Sequence, residues 1–335
     1  CIRAMQFLHI MFCNLYYTSK RLVLMRFMAN LKFIDTISRE GSIRKAADKL
    51  AITSTALNRR ILQVEDEIGQ PLFERLPSGV RLNTAGEIFV QHIRSQMADL
   101  ARVQSQIADL SGIRRGHVRV ASGADALRHF LPEAVAGYRR EHPAVTFEMT
   151  RCYSDAAEAS LLSLDTDIAM SFAPVRAAHF HVAAGVRQQI YCLMNEAHPL
   201  ASRDVIRLRD CVGHPAIMPN VMSGIRHLLD TALIRRNLEL NTILESDSFE
   251  FMQNYLLHDE ALSFQIPIGL AGSVETTVDS GVAGIVARPV DTADVPPGVI
   301  HIGYLKGRVL PVAAAKFLDD IIHQLQQRFP DETGI

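Results

Sequence analysis

Apolar residues recur at helical spacing in the N-terminal third of the chain, and short breaks divide this region into segments. They follow three-residue steps from Met25 to Arg39, and Gly41 ends this first predicted helix. A second helix is predicted from Ile43 to Leu50, and its Ala46 and Ala47 are small enough for another helix to cross closely. This close crossing indicates a helix-turn-helix.

Thr53 is expected to cap a third helix whose two faces differ in chemistry. The apolar stripe on one face consists of Leu57, Ile61, Val64 and Ile68. The polar positions near the start of the helix are Ser54, Thr55, Asn58, Arg59 and Arg60. Because arginine pairs with guanine, asparagine with adenine and hydroxyls with base edges or phosphates, this polar face predicts binding in the DNA major groove.

The next segment, from Pro71 to Asn83, alternates apolar and polar residues around Pro77-Ser78-Gly79. This pattern predicts a two-stranded hairpin, with Arg75 and Arg81 beside the DNA backbone. The alternative is an ordinary helical subdomain with a solvated charged face. The order of helix, tight turn, helix and arginine-bearing hairpin favours DNA binding.

One long helix is predicted from Thr84 to about Ser111. Its heptad a and d positions are Phe89, Ile93, Leu100, Val103, Ile107 and Leu110. Such an apolar seam is exposed unless a partner helix covers it. The alternative is that the helix packs against its own domain.

From His117 onward the pattern changes to strands that alternate with helices, which indicates an α/β fold. The predicted strands of a first unit are Val118–Ala121, Val145–Met149 and Asp167–Phe172, with helices at Ala126–Arg140 and Ala156–Ser163 between them. A second unit starts with a strand at Gln189–Leu193 and ends with the strand Ile300–Tyr304. A last helix is predicted from Val312 to Gln326.

Length and composition fit a protein of two or three domains. The chain has 335 residues, of which 48% are hydrophobic and 21% charged. No apolar run reaches the roughly 18 residues of a membrane span. The net charge is −1, so a nucleic-acid site must come from local clusters of basic residues.

The cysteines and the N-terminus bear on location. Five scattered cysteines without a CxxC pair argue against a disulfide framework and favour a reducing cytosol. The apolar stretch from Met5 to Tyr17 is interrupted by His9 and Asn14, and no small-residue cleavage site follows, so export is not expected. Residues 1–24 are expected to be an extension outside the fold.

The stretch GSIRKAADKLAITSTALNRRILQVEDEIGQPLFERLPSGVRLNTAG resembles the DNA-binding domain of LysR-type transcriptional regulators. DTDIAMSF, NEAHPLA and IHIGYL stand where the regulatory domain of that family has matching segments. The resemblance implies an α/β fold class with an N-terminal winged helix-turn-helix, a long linker helix and a two-lobed effector domain like periplasmic solute-binding proteins. The expected boundaries are 25–83 for the DNA-binding domain, 84–112 for the linker and dimerisation helix, 117–187 with 305–330 for lobe I, and 188–304 for lobe II.

The resemblance also implies which residues approach DNA. From the second and third helices these are Ser42, Arg44, Thr53, Ser54, Asn58 and Arg59, to which the pattern of the third helix adds Thr55 and Arg60. From the wing, which is the predicted hairpin at Pro71–Asn83, they are Arg75, Ser78 and Arg81. The expected partners are double-stranded DNA, a small-molecule effector and a second copy of the chain in a homodimer or tetramer, with RNA polymerase as a further candidate. No cofactor and no membrane contact are expected.

The effector is expected in the cleft between the lobes. The candidate residues, chosen by position in the fold, are Ser122, Gly123, Ser154, Phe172, Asn220, Ser223, Asp247 and Ser248. Ser122 and Gly123 could meet a carboxylate, but Asp125 would repel an anion unless Arg128 or another cation offsets it. Anionic, neutral and zwitterionic ligands therefore all stay open, as does a role for these residues as loop caps.

Other chemistries are less well supported. His179 and His181 could bind a metal from one strand face, but no third ligand stands nearby, so no metal is expected. Cys192 and Cys211 could form a redox switch, yet a strand position favours an inert, buried Cys192. Nucleophile elbow, P-loop and GxGxxG motifs are absent from the sequence, so we expect no enzyme. A solute-binding protein would explain only the C-terminal part.

Overall fold

The computed structural model describes residues 30–109, 115–172, 179–271, 280–330 and 332–334. The chain divides into two compact units, Cys1–Leu100 and Ala101–Ile335, and each is described by itself. The expected extension 1–24 lies outside the described residues. Within the described ranges, no helix combines the length and apolar character that a membrane crossing requires.

The N-terminal unit contains helices and one hairpin. Its elements are α1 (helical over 30–40), α2 (Ile43–Lys49), α3 (Ser54–Ile68), β1 (Phe73–Leu76), β2 (Gly79–Leu82) and the first part of α4 (Thr84–Asp109). β1 and β2 pair in antiparallel orientation. Gly69 ends α3 in the left-handed conformation, which favours glycine.

The apolar stripe of α3 fixes its orientation. Leu57 and Ile61 pack with the fully buried Ala46 and Ala47 of α2, while Val64 packs against α1 and α4. Ile68, expected in the same stripe, is 38% exposed, because it lies in the last turn of α3, beyond the packed part of the stripe. The opposite, polar face of α3 therefore faces away from this core.

Phe89 and Ile93, the first two positions of the expected dimerisation seam on α4, are not available to a partner helix. Ile93 is fully buried and Phe89 half-buried in the core of the N-terminal unit, because the first turns of α4 close that core. Arg94 holds α4 to α1, with its Nε 2.6 Å from Asp35 Oδ1. The later seam positions are exposed: Leu100 by 42%, Val103 by 40% and Ile107 by 63%. Leu110 lies outside the described residues.

The C-terminal unit has two sheets, one in each lobe. The sheet of lobe I has six strands in the order β13 (Thr333–Gly334), β6 (Phe180–Gln188), β12 (Gly298–Leu305), β5 (Ile168–Phe172), β3 (Gly116–Ser122) and β4 (Val145–Arg151). β3 runs parallel to β4 and β5. The helices of this lobe are α5 (Ala124–Arg128), α6 (Phe130–Glu141), α7 (Ser154–Leu162) and α11 (Val312–Arg328).

Lobe II contains the second sheet. Its five strands have the order β11 (Ile285–Pro289), β7 (Tyr191–Asn195), β10 (Leu262–Gln265), β8 (Pro215–Pro219) and β9 (Asn241–Ser246). Its helices are α8 (Leu208–Cys211), α9 (Gly224–Arg236) and α10 (Phe249–Tyr255), with 3₁₀ turns at Pro199–Ser202 and Pro267–Gly269.

Two expected boundaries in the C-terminal unit are wrong. The strand at 298–305, expected in lobe II, belongs to the sheet of lobe I because it pairs with both β5 and β6. The chain therefore enters lobe II after Gln188 and returns before Gly298. The helix expected from Ala126 to Arg140 is interrupted at His129, whose backbone leaves the helical region and separates α5 from α6.

We predict that the wing depends on glycine at position 79. Gly79 has a φ of +143°, and a Cβ there would lie 2.3 Å from the carbonyl oxygen of Gly41. Gly79→Ala should therefore lower the free energy of unfolding of the N-terminal unit by about 2–5 kcal/mol. Hydrogen exchange of the amides of residues 30–82 in the full chain measures this change.

Gly69→Ala is the matched control. Gly69 has a φ of +77°, but no atom lies within 4 Å of a Cβ built there, so only the backbone conformation is penalised. The expected loss is about 1 kcal/mol. Equal losses for the two variants would contradict the importance of the contact between Gly41 and Gly79.

Candidate functional site

The polar face of α3 is accessible. Ser54, Thr55 and Arg59 are exposed, while Asn58 and Arg60 are half-buried. Arg59 forms no hydrogen bond or ion pair with other described residues, and the same holds for the exposed Arg44 of α2. Guanidinium groups that make no hydrogen bond or ion pair with the described residues are suited to contact an external acceptor such as a base edge or a phosphate.

Two of the expected DNA-binding residues cap helices. The hydroxyl oxygen of Ser42 accepts a hydrogen bond from the Lys45 N–H at 3.4 Å, and that of Thr53 accepts one from the Ala56 N–H at 3.2 Å. Both side chains thus hold the starts of α2 and α3. Their hydroxyl protons can still be donated to a phosphate.

The arginines of the wing have partners within the N-terminal unit. Arg75 Nη2 donates to Asn58 Oδ1 at 2.8 Å, so the wing supports the side chain of Asn58 and occupies its oxygen. Arg81 Nη2 lies 2.7 Å from Glu74 Oε2, and this hydrogen bond and the carboxylate charge raise the pKa of Arg81. Ser78 is exposed at the hairpin turn. An amide oxygen can accept two hydrogen bonds, so Asn58 keeps one acceptor position for adenine while it is bound to Arg75.

Glu65 has a structural role that the sequence analysis missed. Its Oε1 accepts hydrogen bonds from the backbone N–H groups of Leu72, at 2.7 Å, and Phe73, at 3.2 Å. The end of α3 therefore fixes the start of β1. The sequence pattern gave no sign of the hydrogen-bond partners of Glu65.

A cavity of about 40 Å³ lies between the lobes of the C-terminal unit. From lobe I it is lined by Gly123, Ala124, Asp125, Arg151, Cys152, Tyr153, Ser171 and Phe172. From lobe II it is lined by Pro219, Asn220, Met222, Ser223, Gly224, Ser246, Asp247 and Phe249. This volume holds a few water molecules, so the site as it stands accommodates a small ligand.

The effector residues expected from sequence fall into two groups. Those that line the cavity are Gly123, Phe172, Asn220, Ser223 and Asp247. Ser122 is 1% exposed and lies outside the lining, and its Oγ has no hydrogen-bond partner among the described residues. Ser248 caps α10 by accepting a hydrogen bond from the Phe251 N–H at 3.2 Å, so the alternative role as a cap applies to this residue. Ser154 begins α7, but its side chain lies outside the described part of the structure.

Two lining contacts join the lobes. Arg151 Nη2, at the end of β4, lies 2.6 Å from Asp247 Oδ2, which follows β9. A Cβ on Gly224, the first residue of α9, would lie 1.6 Å from the carbonyl oxygen of Phe172. Only glycine permits this approach of α9 to β5. Arg151 has no local signal in the sequence, because its partner is 96 residues away in the chain.

Asp125 is a further lining residue. The residue is half-buried in the lining of the cavity. Burial raises the pKa of Asp125 to about 7, and a hydrogen bond with its own backbone N–H opposes the shift. Arg128, considered above as its counter-charge, instead donates to Gln253 Oε1.

Metal binding gains no support in the described ranges, whereas the two cysteines considered as a redox switch lie next to each other in the core. No group of three or more histidine, cysteine, aspartate or glutamate side chains there could hold a metal ion. His181 stacks with Tyr304 at a centroid distance of 4.8 Å. Cys192 and Cys211 are not joined by a disulfide and are fully buried, and burial, followed by the interaction with the Cys211 thiol, raises the pKa of Cys192, which disfavours the reactive thiolate.

Both units match known families. Residues 28–87 match the family model described as the bacterial regulatory helix-turn-helix protein of the lysR family, and residues 111–326 match the LysR substrate binding domain. A winged helix domain joined to a two-lobed ligand-binding domain defines a class of DNA-binding regulators that respond to small molecules. This chain belongs to the LysR family of transcriptional regulators.

Individual relatives agree with this assignment. The HTH-type transcriptional activator CmpR of Synechocystis sp. is 24% identical over 287 residues, which cover 84% of this chain and 90% of that protein. The RuBisCO operon transcriptional regulator of Allochromatium vinosum is 25% identical, with coverages of 61% and 67%.

Solved structures show the same fold. A full-length OxyR variant from Pseudomonas aeruginosa has a TM-score of 0.64 at 19% identity and covers 88% of this chain and 94% of that one. Full-length CbnR in complex with its target DNA has a TM-score of 0.52 at 15% identity, with coverages of 89% and 99%.

Proposed function

We propose that this regulator binds a specific DNA site by inserting the polar face of α3 into the major groove. The observation that carries this proposal is the state of Arg59. It is exposed, forms no hydrogen bond or ion pair with other described residues, and lies opposite the buried stripe of Leu57, Ile61 and Val64. Arg44 and the wing lie on the same unit and would contact the phosphate backbone. Full-length CbnR, which has the same fold, was solved in complex with its target DNA, and this supports DNA binding by the present chain.

We further propose that two copies pair through the exposed part of α4. Leu100, Val103 and Ile107 place apolar surface on a helix where it would otherwise stay in contact with water. Two recognition helices would bind two half-sites, and the phosphate contacts of both copies would add. A tetramer and a contact with RNA polymerase stay predictions.

The cavity between the lobes is proposed as the effector site. Both lobes contribute lining residues, and the Arg151–Asp247 ion pair and the Phe172–Gly224 contact join the two lobes beside it. A ligand that binds better to one arrangement of the lobes shifts the population toward it. This shift would change how paired winged domains are placed on DNA, in the cytoplasm and without catalysis.

Arg59→Ala should reduce sequence-specific DNA binding by about 5- to 150-fold, because a base contact by arginine contributes about 1–3 kcal/mol. Arg203→Ala is the matched control, since it removes the same charge from an exposed arginine of the effector domain and should change affinity less than twofold. Genomic fragments enriched by the wild-type protein serve as DNA in gel-shift titrations at fixed salt.

The gel-shift titrations also distinguish a DNA-binding regulator from a solute-binding protein. If Arg59→Ala and Arg203→Ala bind DNA equally well, the proposed role of α3 is wrong. A solute-binding protein would retain no duplex even at low salt, so wild-type protein that ignores all fragments would exclude the regulator function of this chain.

Val103→Asp should convert dimers into monomers, because a carboxylate in a paired apolar seam loses its hydration. Val309→Asp makes the same change at a site that is 66% exposed and should leave the assembly intact. Sedimentation velocity reports the oligomeric state, and DNA affinity should fall at least about 100-fold for Val103→Asp alone. Dimers that persist in Val103→Asp would contradict pairing through α4.

A further inference from the structure

The charged groups that line the cavity do not balance. Arg151 is paired with Asp247, so these two charges offset each other. The carboxyl group of Asp125 has no ion-pair partner among the described residues. Cys152 and Tyr153, the other titratable lining residues, carry no positive charge, and burial raises the pKa of Cys152 to about 11. The cavity therefore contains one acidic group without a counter-charge.

The basic groups next to Asp125 in the chain do not supply that counter-charge. Arg128 donates to Gln253, and burial lowers its pKa. Burial and the charge of Arg128 also lower the pKa of His129, which disfavours the imidazolium. The causes of the shift at Asp125 are its own burial and its own backbone N–H, with no contribution from a neighbouring charge.

The position of Asp125 is fixed by close backbone contacts. A Cβ on Gly269, in the 3₁₀ turn at Pro267–Gly269, would lie 3.3 Å from both Cα and the carbonyl oxygen of Asp125. Asp125 Oδ2 lies 3.4 Å from where a Cβ on Gly123 would be. The carboxyl group thus covers the start of α5, where the sequence analysis had placed a ligand carboxylate. An anionic ligand would meet a like charge there.

We propose that the effector carries a protonated amine, which forms an ion pair with the carboxylate of Asp125. This inference rests on the proposed role of the cavity as the effector site. The ammonium has two further N–H groups, for which Ser223 and Asn220 offer oxygens. Ser223 makes no side-chain cap to α9, and Asn220 Oδ1 accepts one bond, from the Met222 N–H at 2.9 Å. Phe172 and Phe249 would contact the carbon chain.

The affinity for an amine ligand should depend on pH in a definite direction. Without ligand, the Asp125 carboxyl has a pKa of about 7, and a bound ammonium lowers that pKa by favouring the ionised form. Amine affinity should therefore rise about tenfold from pH 6 to pH 8 and level off above, while a primary amine stays protonated. A carboxylate ligand requires protonated Asp125, so its affinity would fall over the same range.

The test uses the full chain and ligand-observed NMR titrations at pH 6 and pH 8. The ligands are primary alkylamines of two to six carbons and the carboxylates and alcohols of the same length. We expect at least one amine to bind at least ten times more tightly than its matched carboxylate at pH 8. Asp125→Asn should abolish this preference and its pH dependence.

Asp204→Asn is the matched control, since it neutralises an exposed carboxylate of lobe II that does not line the cavity, and it should bind amines like the wild type. An unchanged circular dichroism spectrum and an unchanged midpoint of thermal unfolding of Asp125→Asn exclude misfolding. The inference is overturned if no amine binds, if carboxylates bind the wild type more tightly, or if amine binding survives in Asp125→Asn. Loss of DNA binding by the wild-type chain would instead overturn the proposed function.

Discussion

The packing of α3 against α2 is the interaction on which the DNA-binding unit depends. Leu57 and Ile61 can bury their side chains only because Ala46 and Ala47 let the two helices approach closely. That burial turns the opposite face of α3 outward and leaves Arg59 accessible. A larger side chain in α2 would move α3 and misplace every group that approaches DNA. Core packing and recognition are thus two consequences of one contact.

Local patterns predicted much of this unit. The cap Thr53, three of the four positions of the apolar stripe of α3 and the hairpin follow from residues close together in the chain, and the structure contains them. The heptad pattern of α4 could not show which apolar positions pack into the N-terminal core and which stay exposed. Ile93 repeats the spacing of Leu100, but long-range contacts with Leu31 and Ile34 bury Ile93 in the N-terminal core.

The effector domain was harder to predict because its key contacts join distant segments. Strand β12 was expected in lobe II from its place in the chain, and only pairing with β5 and β6 assigns it to lobe I. The Arg151–Asp247 ion pair likewise has no local signal. Asp125 was recognised as a conflict with an anionic ligand, but its place in the cavity lining and the hydrogen bond of Arg128 to Gln253 required the folded chain.

Hydrogen–deuterium exchange of the full chain, with and without an enriched DNA fragment, tests the central claim most directly, because it reports where DNA lies on the protein. If the polar face of α3 docks in the major groove, amides of residues 42–60 and of the wing at 75–81 gain protection when DNA binds, and Arg59→Ala weakens that protection. DNA binding with no added protection in either segment would contradict the account.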